Sequence, residues 1–313
     1  ALKWEQANAP PEAAQGPDAE GLRLLTIDDV TRQAWRAHRE LVQPLSRLGT
    51  AQVALVAAGR WTDIDPRLQR RVDDLDEVLE VAVQARKAWL QALAARQALA
   101  PYQAMLDAAD AASALGQRMV NVGNWSALQQ TQVQLVQSSA QMNLVRAQYA
   151  ATQSQVSLIK TLGLTGKVTR VTLPEALPDV PPQLVPAEVC QQKALAIQAQ
   201  LPESEGLRNQ ANFALALAAY QASHALANGS REAVKTQEFI SEETVLHYNG
   251  MLSSVWDLLD ASRNQSQAVI DAINAQRDFW IAETDLQWVL QGGEPDSFVA
   301  LGGGREAAAP AAH

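Results

Sequence analysis

Residues 124–162 and 251–291 contain neither glycine nor proline. At 1.5 Å rise per residue each stretch would make a helix of about 60 Å, and a helix of that length needs a packing neighbour along it. Apolar residues supply one by recurring every seven positions. Leu128, Leu135, Met142, Tyr149 and Val156 do so in the first stretch, and Leu252, Leu259, Ile273 and Trp280 in the second, with Ser266 interrupting. This spacing predicts helices packed along a heptad seam. Three more helical stretches are expected. Residues 26–58 open with Thr26 and the pair Asp28–Asp29, a good helix start; residues 72–120 are broken by Pro101 and Gly116, and 207–248 are interrupted only by Gly229. The expected fold class is all-α, built of long antiparallel helical hairpins.

Composition agrees. Only 5% of residues are aromatic and 47% are apolar, dominated by Ala, Leu and Val, which favours helix packing over a β-sandwich. A net charge of −9 argues against a phosphate-tracking surface, so no nucleic-acid partner is expected. The lone cysteine, Cys190, excludes an intramolecular disulfide and a Cys-rich metal cluster. No apolar run approaches the ~18 residues of a membrane helix. The chain does not open with a charged and then apolar leader, so it is either cytosolic or a mature form after signal cleavage.

The helical pieces occur twice. Residues 118–164 can be laid over 246–293, with Gly123 against Gly250, Ser126 against Ser253 and, after a slip of one residue, Leu162 against Leu290. Each copy carries a glycine where the chain reverses. The expected organisation is a flexible segment 1–24, a first helical repeat 25–164, a Pro-rich strap 165–186, a second helical repeat 187–300 and a flexible tail 301–313.

Across 25–293 the chain resembles the outer-membrane efflux (TolC-like) family. The matching pieces are the opening run "LTIDDVTRQAWRAHRELVQPLSRLGTAQVALVAAGRW", the first tip "NVGNWSALQQTQ", "KTLGL" followed by "LPEALPDVPP" in the strap, and "ISEETVLHYNGMLSSVWDLLDASRNQ" with "AQRDFWIAETDLQWVL" in the second hairpin. The last block is most similar to the heavy-metal and copper-resistance branch. The resemblance implies efflux transport at the envelope, a trimeric channel, and tip turns that meet the helical hairpins of a periplasmic adaptor protein.

One family feature has no counterpart. Family members thread two membrane strands per repeat, which need about 20 alternating residues. The first repeat offers only "GRWTDIDPRLQRRV", fourteen residues from 59 to 72 rich in charge; the second offers an Ala-rich helix former across 207–231. The expectation is therefore a TolC-like helical body without the transmembrane β-barrel. With the barrel's share of trimer contacts gone, a monomer or weak oligomer that closes its own seam is expected.

No enzyme motif is present: there is no Gly-rich phosphate loop, HExxH or nucleophile elbow, and His38, His224, His247 and His313 are scattered. Cys190 falls in the first turn of a helix after Pro186, a place for a lowered thiol pKa or for a small half-buried residue. His247 and Met251, four apart, suit soft Cu(I) if Gly250 does not break the helix between them; otherwise Met251 is an apolar tip residue. Trp125 and Trp256 follow the tip glycines and either anchor a partner or cap the seam of their own hairpins. The helix over 124–162 has nine glutamines and only Arg146 and Lys160 as charges, which suits helix contact or an aqueous lining.

These residues give a periplasmic accessory component of an efflux or copper-resistance system, with no cofactor. Its partner-binding residues are Val122, Gly123, Asn124, Trp125 and Ser126 in the first tip and Gly250, Met251, Leu252 and Ser253 in the second. The alternatives are a periplasmic copper-binding carrier using His247 and Met251, and a cytosolic coiled-coil scaffold.

Overall fold

The computed structural model describes residues 22–65, 67 and 74–301. It is all-α, 76% helical, and made of long helical hairpins in two repeats. In the first repeat α1 (Ile27–Ala37), α2 (Val42–Leu48) and α3 (Thr50–Ala57) lead to α4 (Leu75–Gln97), α5 (Leu99–Asn121) and α6 (Ala127–Thr161). In the second, α7 (Ala187–Gln198) precedes α8 (Glu203–Asn249) and α9 (Val255–Val289). Two-residue strands, β1 (Leu22–Arg23) and β2 (Val171–Thr172), pair in parallel.

Local signals explain most boundaries. Thr26 caps α1 in a capping box with Asp29, Ser126 caps α6 with Gln129, and Ser254 caps α9 with Asp257. The stretch 26–58 is not one helix, however. It breaks at His38, which is extended, and at Gly49, whose φ of 80° no helix accommodates. Pro101 does not break the second stretch either. It lies in the first turn of α5, where a missing N–H leaves nothing unpaired. Gly116 also lies inside the same helix, where a Cβ would run into the Gln130 side chain and stand 2.7 Å from the Trp125 ring. Gly229 leaves α8 unbroken over 47 residues, about 70 Å.

The long helices of the two repeats keep one register without any slip. α6 and α9 are both 35 residues long, and each end of α9 lies 128 positions after the matching end of α6. The tip pairing of Gly123 with Gly250 is therefore corrected to Gly123 with Met251, and Ser126 pairs with Ser254 instead of Ser253.

The heptad expectation is half overturned. Leu259, Ser266 and Ile273 of α9 are buried, but Leu128, Leu135, Met142, Tyr149 and Val156 of α6 are all exposed. α6 sits at the edge of the bundle and turns Val133, Ala140, Leu144, Ala147 and Leu158 inward instead. α9 runs between α8 on one side and α4 and α5 on the other.

The strap is held by side chains that cap its backbone. Arg96 of α4 donates to the carbonyls of Leu173 and Pro174, and Gln97 accepts from the Leu177 N–H. From the second repeat Gln276 donates to Leu177 and Pro178, Trp280 Nε1 donates to Pro178 at 2.9 Å, and His224 Nε2 lies 2.8 Å from the Pro181 carbonyl oxygen. Leu173, Leu177 and Val180 are buried beneath it. Leu24 is also buried, its N–H bonded to Thr172, so the end of the expected flexible lead-in is ordered; residues 1–21 and 302–313 lie outside the described residues.

Candidate functional site

Both hairpin tips close by one hydrogen-bond pattern. In the first, the N–H of Gly123 bonds to the Val120 carbonyl and that of Asn124 to Met119 at 2.8 Å; in the second, Met251 bonds to Tyr248 and Leu252 to His247 at 2.8 Å. The bond spanning five residues marks a helix end of the Schellman type, which needs one residue in the left-handed conformation. Gly123 supplies it at φ 79°, at little steric cost. In the second tip Met251 supplies it at φ 60°, while Gly250 keeps φ at −82°. A side chain in that region costs about 1–2 kcal/mol, and Met251 recovers none of this by packing, because it is 95% exposed.

The tips lie at the same end of the molecule. Trp125 and Trp256 stack with ring centroids 6.1 Å apart, and both join a cluster with Met119 and Tyr248. Each ring spends one face on the other, which supports the seam-capping reading of the two tryptophans. Gln130 fills the neighbouring buried position and donates to the Ser113 carbonyl. Beyond this cluster Val122 and Leu252 project 71% and 80% exposed. Asn124 and Ser126 are exposed and Ser253 is half-buried. Asp257 stays below the ordinary carboxylate range because the Ser254 backbone N–H and hydroxyl bond to it.

His247 is exposed in the last turn of α8, which ends at Asn249. Helical spacing therefore does not carry through to Met251, which lies in the turn beyond the helix end. Among the described residues no group of three or more His, Cys, Asp or Glu could hold a metal ion. His38 pairs with Glu40 at 2.7 Å and His224 serves the strap, so neither is available beside the tips. Cys190 is buried and desolvation pushes its thiol pKa up, the reverse of an activated thiol.

Far along the chain from the tips is a polar cluster that sequence reasoning missed. Arg86 of α4 pairs with Glu283 of α9 at 2.6 Å, and Lys87 with Asp285 at 2.5 Å, all but Lys87 and Glu283 nearly inaccessible. Gln287 accepts from the Trp61 N–H at 3.0 Å and Gln291 donates to the Trp61 carbonyl at 2.8 Å. Burial raises the pKa of Glu283 against the opposing pull of Arg86, and burial likewise raises Asp285. The available signal was adjacent charge in otherwise apolar runs, "VQARKAWL" and "IAETDLQWVL". These groups fix α4 to α9, and Lys87 and Asp285 also line a cavity of about 600 Å³.

No family model matches this chain, and no curated protein matches it. Solved structures do. A membrane protein from Pseudomonas aeruginosa aligns over 88% of this chain and 92% of its own with a TM-score of 0.61 at 14% identity. CusC, from a study of folding and transmembrane channel formation, aligns over 85% and 96% at TM-score 0.57 and 12% identity. The outer membrane protein VceC of Vibrio cholerae aligns over 77% and 75% at 0.55 and 14%.

The fold is TolC-like. At these identities the likeness fixes the architecture alone, and the TolC-like body here ends in two tips that share one closure and differ in what occupies the left-handed position, Gly123 in the first and Met251 in the second. No helix among the described residues is long and apolar enough to cross a membrane.

Proposed function

We propose that this chain is a non-enzymatic periplasmic component of an envelope efflux system, of the heavy-metal or copper-resistance branch. It is a TolC-like body without a barrel of its own that offers its tips to a helical-hairpin adaptor. The observation that carries the reading is Met251, an apolar residue strained into a left-handed turn and left in solvent beside Leu252. Strain without internal compensation belongs to sites used for something else. The unbroken course of α8, where the family threads its second pair of strands, supports the absence of a barrel in that repeat.

Photo-crosslinking from position 252 in the producing cell tests it. Mass spectrometry of the captured protein should identify a periplasmic adaptor, and the substitution Leu252→Asp should lower adaptor binding while leaving helix content unchanged. Binding that ignores Leu252→Asp would remove the tips from the mechanism. Copper carriage is the second reading, favoured by the exposure of His247 in the last turn of α8 and of Met251 in the turn that follows it; Cu(I) titration of the His247→Ala variant decides it.

The exposed α6 row bears on assembly. A monomer or weak oligomer presumed a seam closed within one chain, and that row is open, so side-by-side association of copies through α6 replaces it in this reading. Light scattering at micromolar concentration should give a multiple of 33.8 kDa, reduced to one chain by Leu135→Ser with Tyr149→Ser.

A further inference from the structure

α6 and α9 both pack on α4 and α5, yet a groove separates them. Three cavities lie along it, of about 440, 310 and 600 Å³. Asn143 borders the first two and Arg277 the last two, so the cavities follow one another along a single cleft between the helices.

The middle cavity carries an arrangement that packing does not require. On α6 Arg146 Nη1 donates to Asn143 Oδ1 at 3.2 Å, and on α9 Arg277 Nη1 donates to Asn274 Oδ1 at 3.2 Å. All four side chains line that cavity, over a floor that includes Ala98 and Ile270. Arg146 is one of two charged residues on α6 and makes no ion pair among the described residues. Arg277 spends Nε at 2.9 Å and Nη2 at 2.8 Å on Asp278 and Nη1 on its asparagine, so it offers charge and its remaining N–H groups, and the open fork is that of Arg146. A chain of net charge −9 thus holds two guanidinium groups, each braced by an amide, in the middle cavity, whose lining carries no carboxylate among the described residues; Arg263 lines the first cavity, and Asp278 and Asp285 line the third. Guanidinium forks match carboxylates in plane and spacing.

The neighbouring 440 Å³ cavity is apolar where it meets Met105, Leu135 and Leu259. From Leu259 to Asn274 the cleft follows α9 for about 22 Å, room for an extended alkyl chain. We propose that this cleft binds a single-chain amphiphilic carboxylate, its head between Arg146 and Arg277 and its tail running toward Leu259. The inference is independent of the tips, because none of these residues belongs to them.

Isothermal titration calorimetry of the full chain with laurate, kept below its micelle concentration at low salt, tests this. Saturable binding at one site is expected. The double variant Arg146→Gln with Arg277→Gln should bind about tenfold more weakly or worse, as should the parent chain toward the uncharged glycerol ester of laurate. Arg146→Lys, which keeps charge but loses the fork, should fall between parent and double variant. Circular dichroism melts of each variant establish that the fold is intact, as the solvent-facing position of Arg146 leads one to expect. Absence of saturable binding, equal affinity for the ester, or a folded double variant that binds like the parent would each overturn the proposal.

Discussion

α6 and α9 share length, N-terminal capping box, tip closure and register in their repeats, but fifteen of 35 residues are buried in α9 against seven of 35 in α6. The two heptad rows are out of phase. Counting 128 positions on from Leu135, Met142 and Tyr149 reaches Arg263, Ile270 and Arg277, while Ile273 corresponds to Val145, which is half-exposed. The two repeats thus share a backbone plan and differ in which face is apolar. Neighbours account for it: α9 has helices on both flanks, and α6 has them on one. A seven-residue repeat announces a row of apolar side chains, and the place of the helix in the bundle decides what covers that row.

The sharpest way to break this comparison is through the charges buried at α9. Arg86→Met leaves Glu283 without its cation and should destabilise the chain by about 3–5 kcal/mol in urea melts, whereas Lys235→Met on exposed α8, which loses only a surface pair with Glu232, should cost about 0.5 kcal/mol or less. Glu283 also sets a pH signature. Its folded pKa lies above the ordinary 4.5, so the folded chain holds more protons than the unfolded one between 4.5 and the raised value. Across that window this group's contribution to stability falls as pH rises. Glu283→Gln lacks that slope, so melts of variant and parent should diverge in the variant's favour with increasing pH.

Equivalent positions in the two helices give the next test. Ile273→Ala should cost about 2–5 kcal/mol, and its counterpart Val145→Ala within about 0.5 kcal/mol; equal losses would mean that α6 is as much a core helix as α9. A smaller effect separates the tips. Met251→Gly relieves the left-handed strain and should stabilise by about 1 kcal/mol, while Gly123→Ala introduces that strain and should cost about the same. Thermal melts resolve both, and a destabilised Met251→Gly would show that the methionine is held by contacts within its own chain.

What could be read in advance follows the range of the interaction. Thr26, with acidic residues in the first turn behind it, marks α1 correctly because capping is settled within four residues. The breaker-free stretches likewise mark α6 and α9 to within a few positions. Pro101 and Gly116 misled because their effect depends on place: a proline in a first turn costs no hydrogen bond, and a helical glycine can make room for the ring of Trp125. The tip residues were legible as turns, yet the exchange of roles between Gly250 and Met251 needed the backbone angles. Asn143 with Arg146 is an unremarkable spacing on any helix and gains meaning only across the cleft from Asn274 and Arg277. The Arg86–Glu283 pair joins residues 197 positions apart, and no pattern local to either announces it.

The strap takes its hydrogen-bond partners from both copies of the duplication, Arg96 and Gln97 from one and His224, Gln276 and Trp280 from the other. Two similar halves joined by a bare linker would melt one at a time. Here neither half can loosen without stripping hydrogen-bond partners from the strap that crosses the boundary between them, so the likeness of the halves leaves no mark on the energetics and the molecule should lose its structure in a single cooperative step.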